Sequence, residues 1–104
     1  MEDTIEWVGQ SGKTYKYWIY PIGQSFKAQA GNYIFARQTK PNTYLPIYIG
    51  QTEDLSERFD DHHKKDCIKR EGATHIHAHL NADKQSRLDE ESDLIAKWLP
   101  TCND

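Results

Sequence analysis

Arg58 and His62 stand four residues apart in the charged run DLSERFDDHH, the interval that places two side chains one above the other on a helix. The first carries a charge it cannot lose, and the second can exchange a proton near neutral pH. Just upstream, LPIYIG brings Tyr48 to the end of an apolar run, and Gly50 follows as a place where the backbone can turn and approach a neighbour closely. Farther along, at about 100° per residue, Leu88, Leu94, Ile95, Trp98 and Leu99 form one helical stripe with Glu91 near its middle, while Asp89, Glu90 and Asp93 fall off it. An inward carboxylate requires a cation or a set of hydrogen-bond donors opposite it. His75, His77 and His79 alternate along ATHIHAHL at a spacing able to hold zinc, but a further ligand is not specified, and polar residues on the wet face of a strand are the ordinary reading.

The elements that must carry these groups can be read in turn. TIEWVGQSGKTYKYWIYPIG predicts two strands joined by a turn at Gln10 to Lys13, with Lys16, Trp18 and Tyr20 on one face of the second. That face reads as an amphipathic edge covering the core, and its aromatics interleaved with lysines also suit base stacking and phosphate contact. GNYIFARQ after Gly31 and LPIYIG predict an antiparallel pair with a long loop around Pro41 and Asn42. Asp54 is placed to cap a helix carrying Leu55 and Phe59 inward, with Glu57 three residues on as in a capping box. Gly72 interrupts the pattern, the histidine strand follows, and a last helix runs from an Asp83 cap to a stop at Pro100.

At 104 residues the chain is read as one domain. With 37% hydrophobic and 28% charged residues it is expected to fold, and with no long apolar run and no basic-then-apolar leader it is expected in the cytoplasm, away from membranes. Cys67 and Cys102 lack metal-type pair spacing, which in a reducing compartment predicts two free thiols. The formal net charge of -3 excludes a strongly basic polyanion binder, yet residues 1 to 40 carry five basic against three acidic side chains. A polyanion must therefore be gripped by a local basic face.

GNY at 31 to 33, YIG at 48 to 50, DLSERF at 54 to 59 and EESDLIAKWLPTCN at 90 to 103 together resemble the GIY-YIG nuclease domain. The resemblance spans Gly31 to Asn103 in family order and leaves residues 1 to 30 outside as an N-terminal β-hairpin extension of a 31 to 104 core. It implies a small α+β domain, an antiparallel sheet of about three strands flanked by helices, that hydrolyses phosphodiester bonds with one Mg²⁺ or Mn²⁺. Tyr33 and Tyr48 match the two motif tyrosines, Arg58 the helix arginine, His62 the histidine or tyrosine one turn later, Glu91 the sole protein ligand of the metal, and Asn103 the asparagine near the domain's end. Gly31 and Gly50 match the motif glycines and are expected at backbone turns.

Phosphodiester hydrolysis gives these residue types their reasons. Arg58 can bind two phosphate oxygens at once and stabilise the charge that grows on them. Glu91 with its metal supplies a second positive centre, and a tyrosine beside such cations is a feasible base, His62 sharing its proton. Either Tyr33 or Tyr48 fits that role. The implied partner is nucleic acid, DNA above all, with a dimer mate or partner protein to add specificity beyond what a chain this small can read. Two departures qualify the match: Asn32 replaces the motif isoleucine, and Gln51 follows YIG where many relatives carry lysine. The missing cation leaves a second expectation, a weak or inactive module that keeps the fold and binds nucleic acid or protein.

Overall fold

A computed structural model describes residues 3–57 and 62–103. Among them, β1 (Thr4–Val8), β2 (Thr14–Pro21), β3 (Gly31–Lys40), β4 (Thr43–Thr52) and β5 (His75–Leu80) form one sheet. Its order is β1-β2-β5-β3-β4, and every neighbouring pair is antiparallel. The chain is thus a small α+β fold with one antiparallel sheet of five strands, two of which, β1 and β2, come from the N-terminal hairpin. The N-terminal hairpin extends this sheet, Trp18, Ile19, Tyr20 and Pro21 pairing with β5.

Two helices accompany the strands among the described residues, α1 (Lys65–Arg70) and α2 (Lys84–Trp98), and a 3₁₀ turn spans Thr101–Asn103. The interior strand β3, between β5 and β4, is buried from Gly31 to Ala36 on both faces, as a strand covered from two sides must be. Odd positions Tyr33 and Phe35 join Tyr48, Leu55, Ile68, Ile76 and Cys102 in one core cluster, while even positions Ile34 and Ala36 join Trp7, Tyr17, Ile49 and Leu94 in the other. Leu94 of α2 thereby marks the second face as the one that helix covers, and Ile68 of α1 marks the first.

Three local expectations are corrected. Pro41 and Asn42 make a tight turn between the paired Lys40 and Thr43, Asn42 taking φ 62 without a long loop. The chain does not turn at Gly50, since β4 runs on to Thr52. Asp54 does not start a helix within the described residues: its side chain accepts from the Ser56 N–H at 2.8 Å and from the Ser56 hydroxyl, closing a local turn instead. Leu55 still points inward, 2% exposed, while Arg58 and Phe59 lie outside the described residues. His62 itself is not helical and lies before α1.

The last helix starts and ends where expected. Asp83 accepts from the Ser86 N–H at 2.7 Å, and Leu99 takes the left-handed conformation, φ 45, just before Pro100. Its buried stripe is rotated from the periodicity reading, however: Arg87, Glu90 and Leu94 face inward, and Glu91 is half-buried on the flank. The sheet explains the rotation, because Glu90 finds two donors there, the Tyr17 hydroxyl at 2.6 Å and His79 Nε2 at 2.6 Å. The expected free thiols are also overturned, for Cys67 of α1 and Cys102 of the 3₁₀ turn are joined at an S–S distance of 2.09 Å, their Cα atoms 5.9 Å apart. No described helix is long and apolar enough to cross a membrane.

Candidate active site

Tyr33 and Tyr48 come together because β3 and β4 are adjacent and their regular register up to the Phe35–Tyr48 pair sets the two side chains diagonally on one face. Phe35 pairs with Tyr48 but Ala36 pairs with Pro46, leaving Ile47 as an extra residue in β4. Such a bulge changes the local pleat, and both Ile47 and Tyr48 join the same core cluster as Tyr33. The two phenol rings lie 6.1 Å apart between centroids at an interplanar angle of 29°.

Gly50 is the cross-strand partner of Tyr33, and the Tyr33 ring lies over it. A Cβ on Gly50 would fall 2.7 Å from Tyr33 Cζ, 2.8 Å from its hydroxyl oxygen and 2.9 Å from Tyr48 Cε2. The glycine is thus required for space, not for a turn. Gly31 has the same kind of role at the start of β3, where a Cβ would stand 2.2 Å from the His79 carbonyl oxygen.

His62 completes a hydrogen-bonded chain. Its Nε2 is 2.7 Å from the Tyr33 hydroxyl, and its Nδ1 accepts the Lys64 backbone N–H at 3.0 Å. An imidazole whose Nδ1 accepts carries its proton on Nε2 when neutral, so Nε2–H donates to Tyr33 Oη. His62 is held neutral: burial, with His63 adding repulsion, pushes its pKa down to about 4. The Tyr48 ring meets His62 edge-on at 4.8 Å between centroids.

The phenols differ in a way that assigns direction. Burial raises the Tyr33 pKa far above its ordinary value, with Tyr48, Glu91 and Glu57 adding to the rise. Burial and Glu91 also raise Tyr48, but its hydrogen bond with Tyr33 pulls it back down. With His62 Nε2–H donating to Tyr33, the Tyr33 hydroxyl proton is the one left to face Tyr48. Of the two, Tyr48 is the phenol whose anion is supported by a donor.

Glu91 belongs to this group through its field. It is among the charges that raise both tyrosines, and burial raises its own pKa. Among the described residues no cation stands within ion-pair distance of this half-buried carboxylate. That environment fits a divalent cation with one protein carboxylate and its remaining positions filled by water, the manner in which Mg²⁺ is commonly held.

Asn103 is brought to the same strand but with its amide fully engaged. Its Oδ1 accepts the Ile49 N–H at 2.8 Å, and its Nδ2 donates to the Ile49 carbonyl at 2.8 Å. This pairing satisfies the outer edge of β4 between Tyr48 and Gly50, making Asn103 a positioning residue. Gln51 accepts from Arg87 Nε at 3.0 Å on the α2 side of the sheet.

The strand histidines do not form a metal cluster, and no group of three or more ligand-type side chains is gathered among the described residues. His75 bonds the Thr74 hydroxyl, His77 accepts from Trp7 Nε1 at 3.1 Å, and His79 bonds Glu90. Asn32, Arg87, Glu90 and Tyr17 form a buried polar layer, although the periodicity places Glu90 off the buried stripe and assigns Arg87 and Tyr17 no polar role inside. Its available signal was the pair Arg87 and Glu90, three apart on one helical face, which the hydrophobic count passed over. No family model, no curated protein and no solved structure matches this chain.

Proposed function

We propose that the protein is a metal-dependent endonuclease of the GIY-YIG kind that hydrolyses phosphodiester bonds in DNA. The observation that carries the reading is the convergence of Tyr33, Tyr48 and His62 in one hydrogen-bonded chain within the field of Glu91, groups drawn from β3, β4, the segment before α1, and α2. Glu91 would hold Mg²⁺ or Mn²⁺, which when bound supplies positive charge to the phosphate oxygens. Tyr48, ionised to its phenolate with its own proton released to solvent, accepts a proton from the attacking water, its anion steadied by the Tyr33 hydroxyl, which His62 Nε2–H in turn holds in place. On the resemblance, Arg58 is the cation for the phosphate.

A second reading, a non-catalytic nucleic-acid-binding module on the same fold, is favoured by one observation. Gln51 spends its carbonyl oxygen on Arg87, so the position after Gly50 brings no side-chain cation to the phenols. Incubation of the purified chain with labelled duplex, single-stranded and branched DNA in Mg²⁺ or Mn²⁺ separates the two. Nicking that falls about 100-fold or more in Glu91→Ala supports the enzyme. Cleavage unchanged by that substitution removes the assignment, and salt-dependent binding with no cleavage of any substrate supports the module.

A further inference from the structure

The face of the sheet that carries the phenols continues past them. Tyr33 and Trp18 both pair with Ala78, so one row runs from the candidate site across β5 to the indole, two strand spacings or about 10 Å away. Trp18 is 47% exposed, whereas Trp7 on the opposite face is 3% exposed. Its row neighbours explain this, because Ala78 and Thr4 are too small to cover it. Lys16 Nζ stands 5.4 Å from the ring centroid. Beside them lies a cavity of about 490 Å³ floored by Ala78, Tyr20 and Phe26. Phe26 and Leu55 also wall a second cavity that reaches Phe35, whose ring is 5.9 Å from His62.

The charges along this track oppose the charge of the whole chain. Lys16, Lys65 and Lys69 line the two cavities against Glu57, with Glu6 across the strand from Lys16, while the formal net charge is -3. An aromatic plane with a lysine over it, opening into an apolar trough with more lysines beyond, suits a ligand of flat bases on an anionic backbone. A duplex hides its base faces, so the trough selects an unpaired strand.

We propose that this track binds single-stranded DNA, one base stacked on Trp18 and the adjoining phosphate on Lys16, so that the substrate is a duplex bearing an unpaired segment. The inference rests on the nuclease reading for the word substrate, but its binding site stands apart from Glu91. The base takes the indole face, and the ammonium released from the ring pairs with the phosphate.

The experiment measures fluorescence anisotropy in EDTA, where no cleavage occurs, with a labelled oligothymidylate, a blunt duplex and the same duplex carrying a single-stranded overhang. Wild type should prefer the overhang and the single strand to the blunt duplex. Trp18→Ala should weaken binding to both by about 5- to 100-fold, Trp18→Phe should restore most of it, and Lys16→Gln should lower the salt slope by about 0.7. Because binding is read in EDTA with no cleavage, failure of the nuclease reading leaves the result legible. Equal binding of all three DNAs by wild type and Trp18→Ala overturns the proposal, as does a sedimenting homodimer that Trp18→Ala dissolves.

Discussion

The two tyrosines, chemically identical in the sequence, are made unequal by one hydrogen-bond direction. Because His62 Nδ1 is occupied by the Lys64 N–H, its Nε2 proton must go to Tyr33, and the Tyr33 proton is left for Tyr48. Tyr48→Phe removes the base itself and should lower the rate of DNA cleavage by about 10²- to 10⁴-fold. Tyr33→Phe removes only the donor that steadies it and should cost less, on the order of 10-fold. Equal losses in a single-turnover comparison would contradict the direction assigned to the chain. The pH profile gives a separate check. With the His62 pKa near 4, the imidazole stays neutral across the working range, and the rate should climb from pH 6 to 9 as the phenol ionises more readily. A limb with its midpoint at the ordinary histidine value that vanishes in His62→Gln would show His62 titrating in the reaction.

The strand β4 and its neighbours decide how well those side chains can be held. Asn103 pairs both of its amide groups with Ile49, behaving as one extra strand residue at an otherwise open edge. Asn103→Ala should cost about 1–3 kcal/mol through the unpaired Ile49 N–H and carbonyl, read as a lower denaturation midpoint in urea, and the conservative Asn103→Asp should retain the N–H contact alone. Gly50→Ala forces its methyl against the Tyr33 ring, itself 5% exposed, and should cost about 1–3 kcal/mol with a loss of cleavage. An alanine variant as stable as wild type would mean the rings can move aside. These elements also mark how far the sequence could be read. The strands were legible because β-branched and aromatic residues alternate between turn residues, and α2 because Asp83 and Pro100 bound it. The rotation of α2 was not, since counting apolar positions ranks Glu91 above Glu90, and only the Tyr17 and His79 donors waiting on the sheet reverse that order. Nor was the turn at Asp54, where side-chain bonding to Ser56 wins over the helix cap that the same residue types allow. The pairing of β2 with β5 joins segments about sixty residues apart, and no local pattern announces it.

The molecule as a whole is held by two features that answer to solution conditions. His77 is fully buried, accepts the Trp7 indole N–H, and is kept neutral by burial, its pKa pushed down to about 3. A histidine with a depressed folded pKa stabilises the fold above its unfolded value near 6.5 and loses that contribution as pH falls toward the folded value. Stability should thus decline below pH 6.5 by up to about 1.4 kcal/mol per pH unit for this group, and His77→Phe should flatten the decline in urea titrations from pH 7 to 4. The Cys67–Cys102 crosslink acts differently, because it closes a segment of 35 residues that includes β5 and α2. On the chain-entropy account a loop of that length contributes about 3–4 kcal/mol, a large share of what a domain of this size can hold. The crosslink also ties α1, which follows His62, to the 3₁₀ turn that presents Asn103 to β4. Adding a dithiol reductant, or making the double substitution Cys67→Ser and Cys102→Ser, should lower the unfolding free energy by that amount, read as a lower urea midpoint. In hydrogen exchange, the Ile49 amide should lose protection more than amides of β1, which the crosslink does not touch. Uniform loss across the sheet would mean that the disulfide acts on the unfolded chain alone, and no loss of stability would mean that α1 and the 3₁₀ turn hold together by packing without it.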